Sequence, residues 1–381
     1  MGRAATATIN FDALRHNYRL AKKASNGSKA VAIVKADAYG HGAVMVARAL
    51  ANEADAFGVA CIEEAVELRD AGIKNPILLL EGFFTEDELK IISERNLWTA
   101  IHSHEQIETI SQQRLCKPIN AWLKMNTGMH RLGIQPEDYE AAYLKLKHLP
   151  QVSHVVLMTH FSCADEIVNT ETASQISIFN NATKNIQAEK SLANSAGTLA
   201  HENSHSDWQR PGIMLYGATP FSHSHKWADQ LKSVMTLTSE VIAIHNLEKG
   251  QAVGYSKAFV CEQFTKVGTV AIGYADGYPR HAKPGTPVMV NGIQTTILGR
   301  VSMDMLAVDL THIENAAVGA KVELWGDKLK ASDIAVYCDT ISYTLFTGIS
   351  RRVHKVHKNI INLNTLGPQH PPAEITEAIA S

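Results

Sequence analysis

The sequence predicts an α/β protein in two parts. An N-terminal (β/α)8 barrel of the TIM type covers residues 1–231, a mostly β C-terminal domain covers 232–364, and 365–381 form an extension. Three observations predict this. Eight short apolar runs alternate with amphipathic stretches across roughly the first 220 residues, the pattern of repeated βα units. From Lys232 the helical spacing gives way to runs of β-branched and apolar residues, with the hairpin signal Asn291-Gly292 between two of them. No Gly-x-Gly-x-x-Gly turn follows the first run, and an open doubly wound sheet would more often carry one.

In chain order, 5–10 reads as a strand and is a candidate to join the β domain. The eight barrel runs are Val31–Val34, Ala56–Ala60, Ile77–Leu80, Thr99–Ile101, Asn120–Met125, His154–Met158, Ser191–Asn194 and Ile213–Tyr216. Helical spacing falls between them at Ala43–Leu50, Glu63–Ala71, Thr85–Arg95, His104–Gln113, Pro136–Leu149 and Thr170–Ile186. Thr85-Glu86-Asp87-Glu88 is a capping-box signal, and Pro136-Glu137-Asp138 puts proline and acids in a first turn. The predicted strands of the second part are Ser233–Ile244, Gln251–Phe259, Thr265–Gly273, Pro287–Val290, Thr295–Leu298, Met305–Leu310 and Lys321–Trp325, followed by a helix over Ala331–Asp339.

Composition excludes several classes. There are 36 Lys and Arg against 38 Asp and Glu, a net charge of −2, so no broad basic surface exists to neutralise nucleic-acid phosphates. Hydrophobic residues make 45% and charged residues 19%, which is globular rather than disordered. The five Cys are widely spaced with no Cys-x-x-Cys, which argues against a disulfide framework or structural zinc and for a reduced, cytoplasmic protein. No apolar run is long enough to span a bilayer.

A barrel presents its chemistry at the C-terminal ends of its strands. There the sequence puts Lys35 after the first run, Lys124 in the fifth, His160 after the sixth and Asn194-Ser195 at the seventh. Lys35 follows Val31-Ala32-Ile33-Val34, and burial at such a place lowers an amine's pKa and makes it a nucleophile or base; an ordinary surface lysine at a strand end fits the same pattern. Tyr39-Gly40-His41-Gly42 is a donor-rich turn suited to an anion, and Ser195 with Gly212-Ile213 fits the usual phosphate site of a barrel. A lysine opposite a phosphate cradle points to pyridoxal phosphate held covalently.

The run Val31-Ala32-Ile33-Val34-Lys35-Ala36-Asp37-Ala38-Tyr39-Gly40-His41-Gly42 resembles the cofactor-lysine signature of alanine racemases. The resemblance continues in order through Lys124-Met125-Asn126-Thr127-Gly128-Met129-His130-Arg131-Leu132-Gly133, Thr159-His160-Phe161, Asn194-Ser195-Ala196-Gly197, Arg210-Pro211-Gly212-Ile213, Val253-Gly254-Tyr255, Gly273-Tyr274-Ala275-Asp276-Gly277-Tyr278-Pro279-Arg280 and Gly299-Arg300-Val301-Ser302-Met303-Asp304. It implies interconversion of L- and D-alanine for cell-wall peptidoglycan by a pyridoxal 5′-phosphate enzyme. It also implies a homodimer whose chains share their active sites. Lys35 would carry the cofactor and act as one base, with Tyr255 of the other chain as the second. Tyr39, Arg131, His160, Asn194, Ser195, Arg210, Gly212 and Ile213 would hold the cofactor. Arg131 and Met303 would bind substrate, with Lys124, Tyr274 and Asp304 in support. Relatives can carbamylate the lysine at position 124.

One departure concerns the C-terminal end, where many relatives place a tyrosine that reaches the phosphate and this chain has Arg351 before Arg352-Val353. A decoy is His201-Glu202-Asn203-Ser204-His205, which matches the zinc-protease pattern His-Glu-x-x-His. Asn203, Ser204 and Ser206 are poor helix formers and Pro211 follows, so it reads as a polar loop with solvated histidines. Two rival readings are a racemase of broader range, accepting serine or lysine, and a non-catalytic carrier of the cofactor.

Overall fold

The computed structural model describes residues 2–359; the predicted extension and residues 360–364 lie outside the described residues. Eight parallel strands close a barrel: Lys29–Ile33, Ala56–Val59, Ile77–Leu79, Trp98–Ile101, Ile119–Lys124, Val152–Met158, Lys190–Ser191 and Trp208–Gln209. Their residues read as near-continuous apolar runs because both faces are covered, by the barrel interior and by the outer helices. Val31, Ala32, Phe57, Leu78, Ala100 and Leu123 have no exposed surface. The rings of Trp98, Trp122 and Trp208, from three of these strands, pack together with centroids 5.5–6.0 Å apart.

The eighth strand differs from the predicted one. Ile213–Tyr216 is a 3-10 helix, and the short pair Trp208–Gln209 closes the barrel instead. Four apolar residues in a row satisfy a buried strand and a buried helical turn alike. Closure was decided by pairing: Lys29 and Ala30 lie in register with Trp208 and Gln209.

The chain also forms a helix over Phe11–Ala24, which the alternation of apolar runs does not mark. Its cap is local: Asn10 Oδ1 accepts from the backbone N–H of Asp12 and Ala13 at 3.0 and 3.3 Å. The helices predicted at Thr85, Pro136 and Thr170 begin at Glu88, Tyr139 and Glu171.

The second part is an eight-stranded sheet. The N-terminal strand Thr6–Asn10 joins it, antiparallel to Met235–Leu247 and parallel to His354–Lys358. Asn291 and Gly292 have φ of +48° and +83° and link Pro287–Val290 to Ile293–Leu298, the left-handed pair a tight hairpin needs. The strand predicted over Gln251–Phe259 is broken. Only Ala252–Val253 and Phe259–Val260 pair, and between them Tyr255–Lys257 form a 3-10 turn. A helix over Ser342–Thr347 and the strand His354–Lys358 lie beyond the predicted elements. Among the described residues no helix is long and apolar enough to cross a membrane.

Asn17 ties the two parts together. Fully buried on the first helix, it donates to Leu215 O at 3.0 Å and Lys232 O at 2.8 Å and accepts from Lys232 N–H at 2.9 Å. Asn17→Ala should therefore cost about 2–4 kcal/mol by leaving these backbone groups unpaired. A urea-unfolding midpoint unchanged from wild type contradicts that assignment.

Candidate active site

The strand ends open into a cavity of about 810 Å³. Lys35, Tyr39, Lys124, Arg131, His160, Asn194, Ser195, Arg210, Gly212 and Ile213 all line it. Tyr255, Tyr274, Met303 and Asp304 do not line this cavity. Glu81, Phe83, Phe84, His102, Gln106 and Tyr343 line it without having been predicted. Glu81 and His102 were findable in principle, since His102 directly follows one strand end and Glu81 lies two residues beyond another.

Lys35 is followed by an unusual backbone. Ala36, Asp37, Ala38 and Tyr39 all have φ between +50° and +53°, a left-handed turn of L-residues that costs about 1–2 kcal/mol at each position. Several interactions hold it. Ala36 N–H donates to Glu64 Oε1 at 2.6 Å, Asp37 Oδ1 accepts from Ala43 N–H at 2.8 Å, and Lys355 Nζ pairs with Asp37 Oδ2 at 2.5 Å. His41 lies beneath the turn, fully buried, with Nδ1 2.8 Å from Tyr39 O and its ring 4.5 Å from Tyr216. Desolvation pushes the His41 imidazole down to about 4, so it is a neutral buttress at ordinary pH. The turn aims the buried Tyr39 ring at Tyr216 and Tyr343, 5.0 and 5.6 Å away, and burial pushes the Tyr39 phenol well up.

The fifth and sixth strand ends are stitched by a residue that sequence reasoning missed. Gln175 is fully buried; its Nε2 donates to Thr127 Oγ1 at 3.1 Å and His160 O at 3.2 Å, and its Oε1 accepts from Ser162 N–H at 3.0 Å. The loop toward Arg131 is shaped by Asn126 Oδ1, which accepts from Gly128 and His130 N–H at 3.3 and 3.0 Å. Gln106 does the same work further round the rim, accepting from His102 N–H at 2.8 Å and donating to Phe83 O at 3.1 Å.

Beyond the eighth strand, the Arg210 guanidinium is buried and donates to Ser191 Oγ, Thr159 O and Leu192 O. Burial pulls it down to about 9, which leaves it charged at neutral pH. Asn194 caps the helix Ser195–Ala200, its Oδ1 accepting from Gly197 N–H at 3.0 Å. Ser195 Oγ accepts from Gly212 N–H at 2.8 Å, and a hydroxyl that accepts in this way keeps its proton for another partner. A Cβ at Gly212 would stand 2.8 Å from Tyr39 Oη, so only glycine lets this backbone approach the tyrosine.

The cavity's charge is lopsided: Lys35, Lys124, Arg131 and Arg210 face the single carboxylate of Glu81. Burial, then the nearby Arg210, Arg131 and Lys35, push the Lys124 amine down to about 8. Desolvation and these same cations hold the His160 imidazole well below its ordinary range, hence neutral. Such a site suits an anionic ligand.

Tyr255 is 71% exposed and Met303 53% exposed, both on the β domain. Tyr274 carries the Arg280 guanidinium 5.9 Å above its ring. Arg351 is exposed and absent from the cavity lining, whereas Tyr343 from the helix Ser342–Thr347 reaches it, its phenol pushed up to about 12 by burial. The histidines of His201-Glu202-Asn203-Ser204-His205 are half-buried rather than solvated. Their Nε2 atoms lie 2.9 Å from Ala164 O and 3.0 Å from Thr198 O, because a 3-10 turn at 202–204 folds them inward. All five cysteines are unpaired thiols.

Two tests follow from this geometry. A Cβ at Gly40 (φ +75°) would stand 2.1 Å from Phe346 O, so Gly40→Ala should cost about 2–4 kcal/mol and displace the helix carrying Tyr343; an unaltered melting temperature refutes it. Lys124 falls from 10.5 to about 8 on folding, so the unfolded chain binds more protons between those values. In protein dialysed free of small ligands, wild type should gain about 3 kcal/mol of stability relative to Lys124→Met from pH 8 to 10.5. Parallel urea titrations of the two proteins check it.

Comparison with known proteins agrees with this architecture. The alanine racemase N-terminal domain model matches residues 9–220, and the alanine racemase C-terminal domain model matches 234–357. A relative named alanine racemase from Pseudomonas syringae is 53% identical over 355 residues, covering 93% of this chain and 99% of that protein. One named alanine racemase, catabolic, from Pseudomonas putida is 53% identical over 349 residues, covering 92% of this chain and 98% of that protein. The crystal structure of the biosynthetic alanine racemase from Pseudomonas aeruginosa superposes with a TM-score of 0.90 at 42% identity, covering 93% of this chain and 99% of that one. A barrel with Lys35 just beyond its first strand, joined to this β sheet and matched over nearly the whole length of the chain, places the chain in the alanine racemase family.

Proposed function

We propose that this protein interconverts L- and D-alanine with pyridoxal 5′-phosphate, in a homodimer whose sites take residues from both chains. The observation that carries the reading is the convergence of Lys35, buried Arg210 and the bare Gly212 backbone on one cavity with four cations against one carboxylate. That donor set fits a phosphorylated, anionic cofactor. Lys35 would hold it, with Tyr39, Arg131, His160, Asn194, Ser195, Arg210, Gly212 and Ile213 around it.

The cofactor, when bound, supplies the electron sink that makes the substrate's Cα–H acidic. The residues do the rest. Racemisation removes a proton from one face of Cα and returns one to the other, which needs a base on each side. The Lys35 amine serves one face and Tyr255 of the partner subunit the other. The exposure of Tyr255 outside its own chain's cavity supports this sharing. With the cofactor bound, the Arg210 charge would disfavour protonation of a ring nitrogen held near it and so moderate the sink, limiting side reactions. Arg131, backed by Lys124, and the partner subunit's Met303 backbone hold the substrate carboxylate, with Tyr274 and Asp304 alongside.

The family relationship suggests D-alanine supply for peptidoglycan. The catabolic name of the Pseudomonas putida relative favours a second reading, breakdown of D-alanine. Deleting the gene in its host separates them: D-alanine auxotrophy supports supply, and loss of growth on D-alanine as carbon source supports breakdown.

Purified protein with added cofactor should racemise L-alanine, read by chiral chromatography with L-serine and L-lysine as comparison substrates; inert protein rejects the proposal. Lys35→Ala should lower the rate by at least about a thousandfold. Tyr255→Phe should slow deuterium exchange from one enantiomer far more than from the other. Mixed dimers of Lys35→Ala and Tyr255→Phe chains should regain activity, and none would regain it if each site lay within one chain.

A further inference from the structure

The Asp276 carboxylate is fully buried, and the chemistry above makes no use of it. Arg3 Nε donates to Oδ1 at 3.2 Å and Arg3 Nη2 to Oδ2 at 2.5 Å. Arg352 Nε lies 3.4 Å from Oδ1, and Gly273 N–H donates to Oδ2 at 2.9 Å. The consequence appears on the neighbouring loop, where three successive carbonyls are each held. Tyr274 N–H donates to Ser302 O at 3.0 Å, Ala275 N–H to Met303 O at 2.9 Å, and Arg3 Nη2 to Asp304 O at 2.9 Å. Arg352 Nη2 adds a bond to Asp304 Oδ1 at 2.7 Å. The approach is so close that a Cβ at Gly273 would stand 2.3 Å from Ser302 O. Every peptide plane of 302–304 is thus set by the turn that Asp276 closes or by the arginine that Asp276 holds.

We propose that Asp276 and Arg3 are positioning residues for substrate: they fix the 302–304 loop so that one chain presents its Met303 backbone N–H at a set angle to the substrate carboxylate in the other chain's cavity. This rests on the shared-site reading above. Arg3 acts as a fork, bridging Asp276 and Asp304 O, which a lysine's compact ammonium reproduces only in part.

The test uses holoenzyme. Arg3→Ala should raise KM for L-alanine about tenfold while kcat stays within about twofold, because a contact made equally in ground and transition state is weakened; Arg3→Lys should recover part of the loss. Parallel falls in kcat and an unchanged KM overturn the proposal, as does a wild-type KM in Arg3→Ala. Should Arg3→Ala fail to fold, Arg352→Ala is held to the same split. Mixed dimers then decide where the effect acts. A wild-type chain paired with one carrying both Lys35→Ala and Arg3→Ala has only one working cavity, and that cavity faces the altered loop, so KM should be raised. A Lys35→Ala chain paired with an Arg3→Ala chain should show the wild-type KM. The reverse result means Arg3 acts within its own chain and overturns the proposal. Absent recovery in the Lys35→Ala and Tyr255→Phe pair instead overturns the shared-site reading itself.

Discussion

The left-handed turn Ala36–Tyr39 is the constraint on which the site depends. Four consecutive L-residues in that region are costly, and the chain spends packing and charge from distant elements to hold them. Glu64 secures the first amide, Lys355 reaches Asp37 from the far end of the sequence, and the helix Ser342–Thr347 closes over Gly40. The return is geometric. Lys35 and Tyr39 face the same cavity, with Tyr39 against Gly212.

The second constraint is charge. Four cations around one cavity repel each other, and the fold keeps them there through desolvated, heavily bonded positions such as that of Arg210. Lys124 and His160 absorb part of the strain by releasing protons more easily than usual. The site is therefore poised for a multiply charged anion, whose binding would relieve what the protein alone bears.

The β domain contributes in two directions. Toward its own barrel it sends Tyr343 and Lys355. Away from it, it exposes Tyr255 and Met303, the latter on a loop whose carbonyls are held by backbone hydrogen bonds. The N-terminal strand Thr6–Asn10 sits in this sheet although it precedes the barrel, so Arg3 can reach Asp276 across the length of the chain.

The sequence by itself determined what depends on near neighbours. Apolar runs and helical spacing gave six of the eight barrel strands in place and touched a seventh, Lys190–Ser191, at one residue; Asn291-Gly292 gave its hairpin, and the strand-end rule gathered Lys35, Lys124, His160 and Ser195. The tertiary structure decided what depends on closure and long-range contact. Trp208–Gln209 rather than Ile213–Tyr216 became the eighth strand, because pairing with Lys29 and Ala30 selects among apolar segments that look alike locally. Gln175 and Tyr343 entered the site from helices whose sequences carry no chemical signature, and Arg351 turned outward while Tyr343 faced the cavity. Periodicity reports which face of an element is buried; it carries no information about which distant partner buries it, and the site is assembled from those partners.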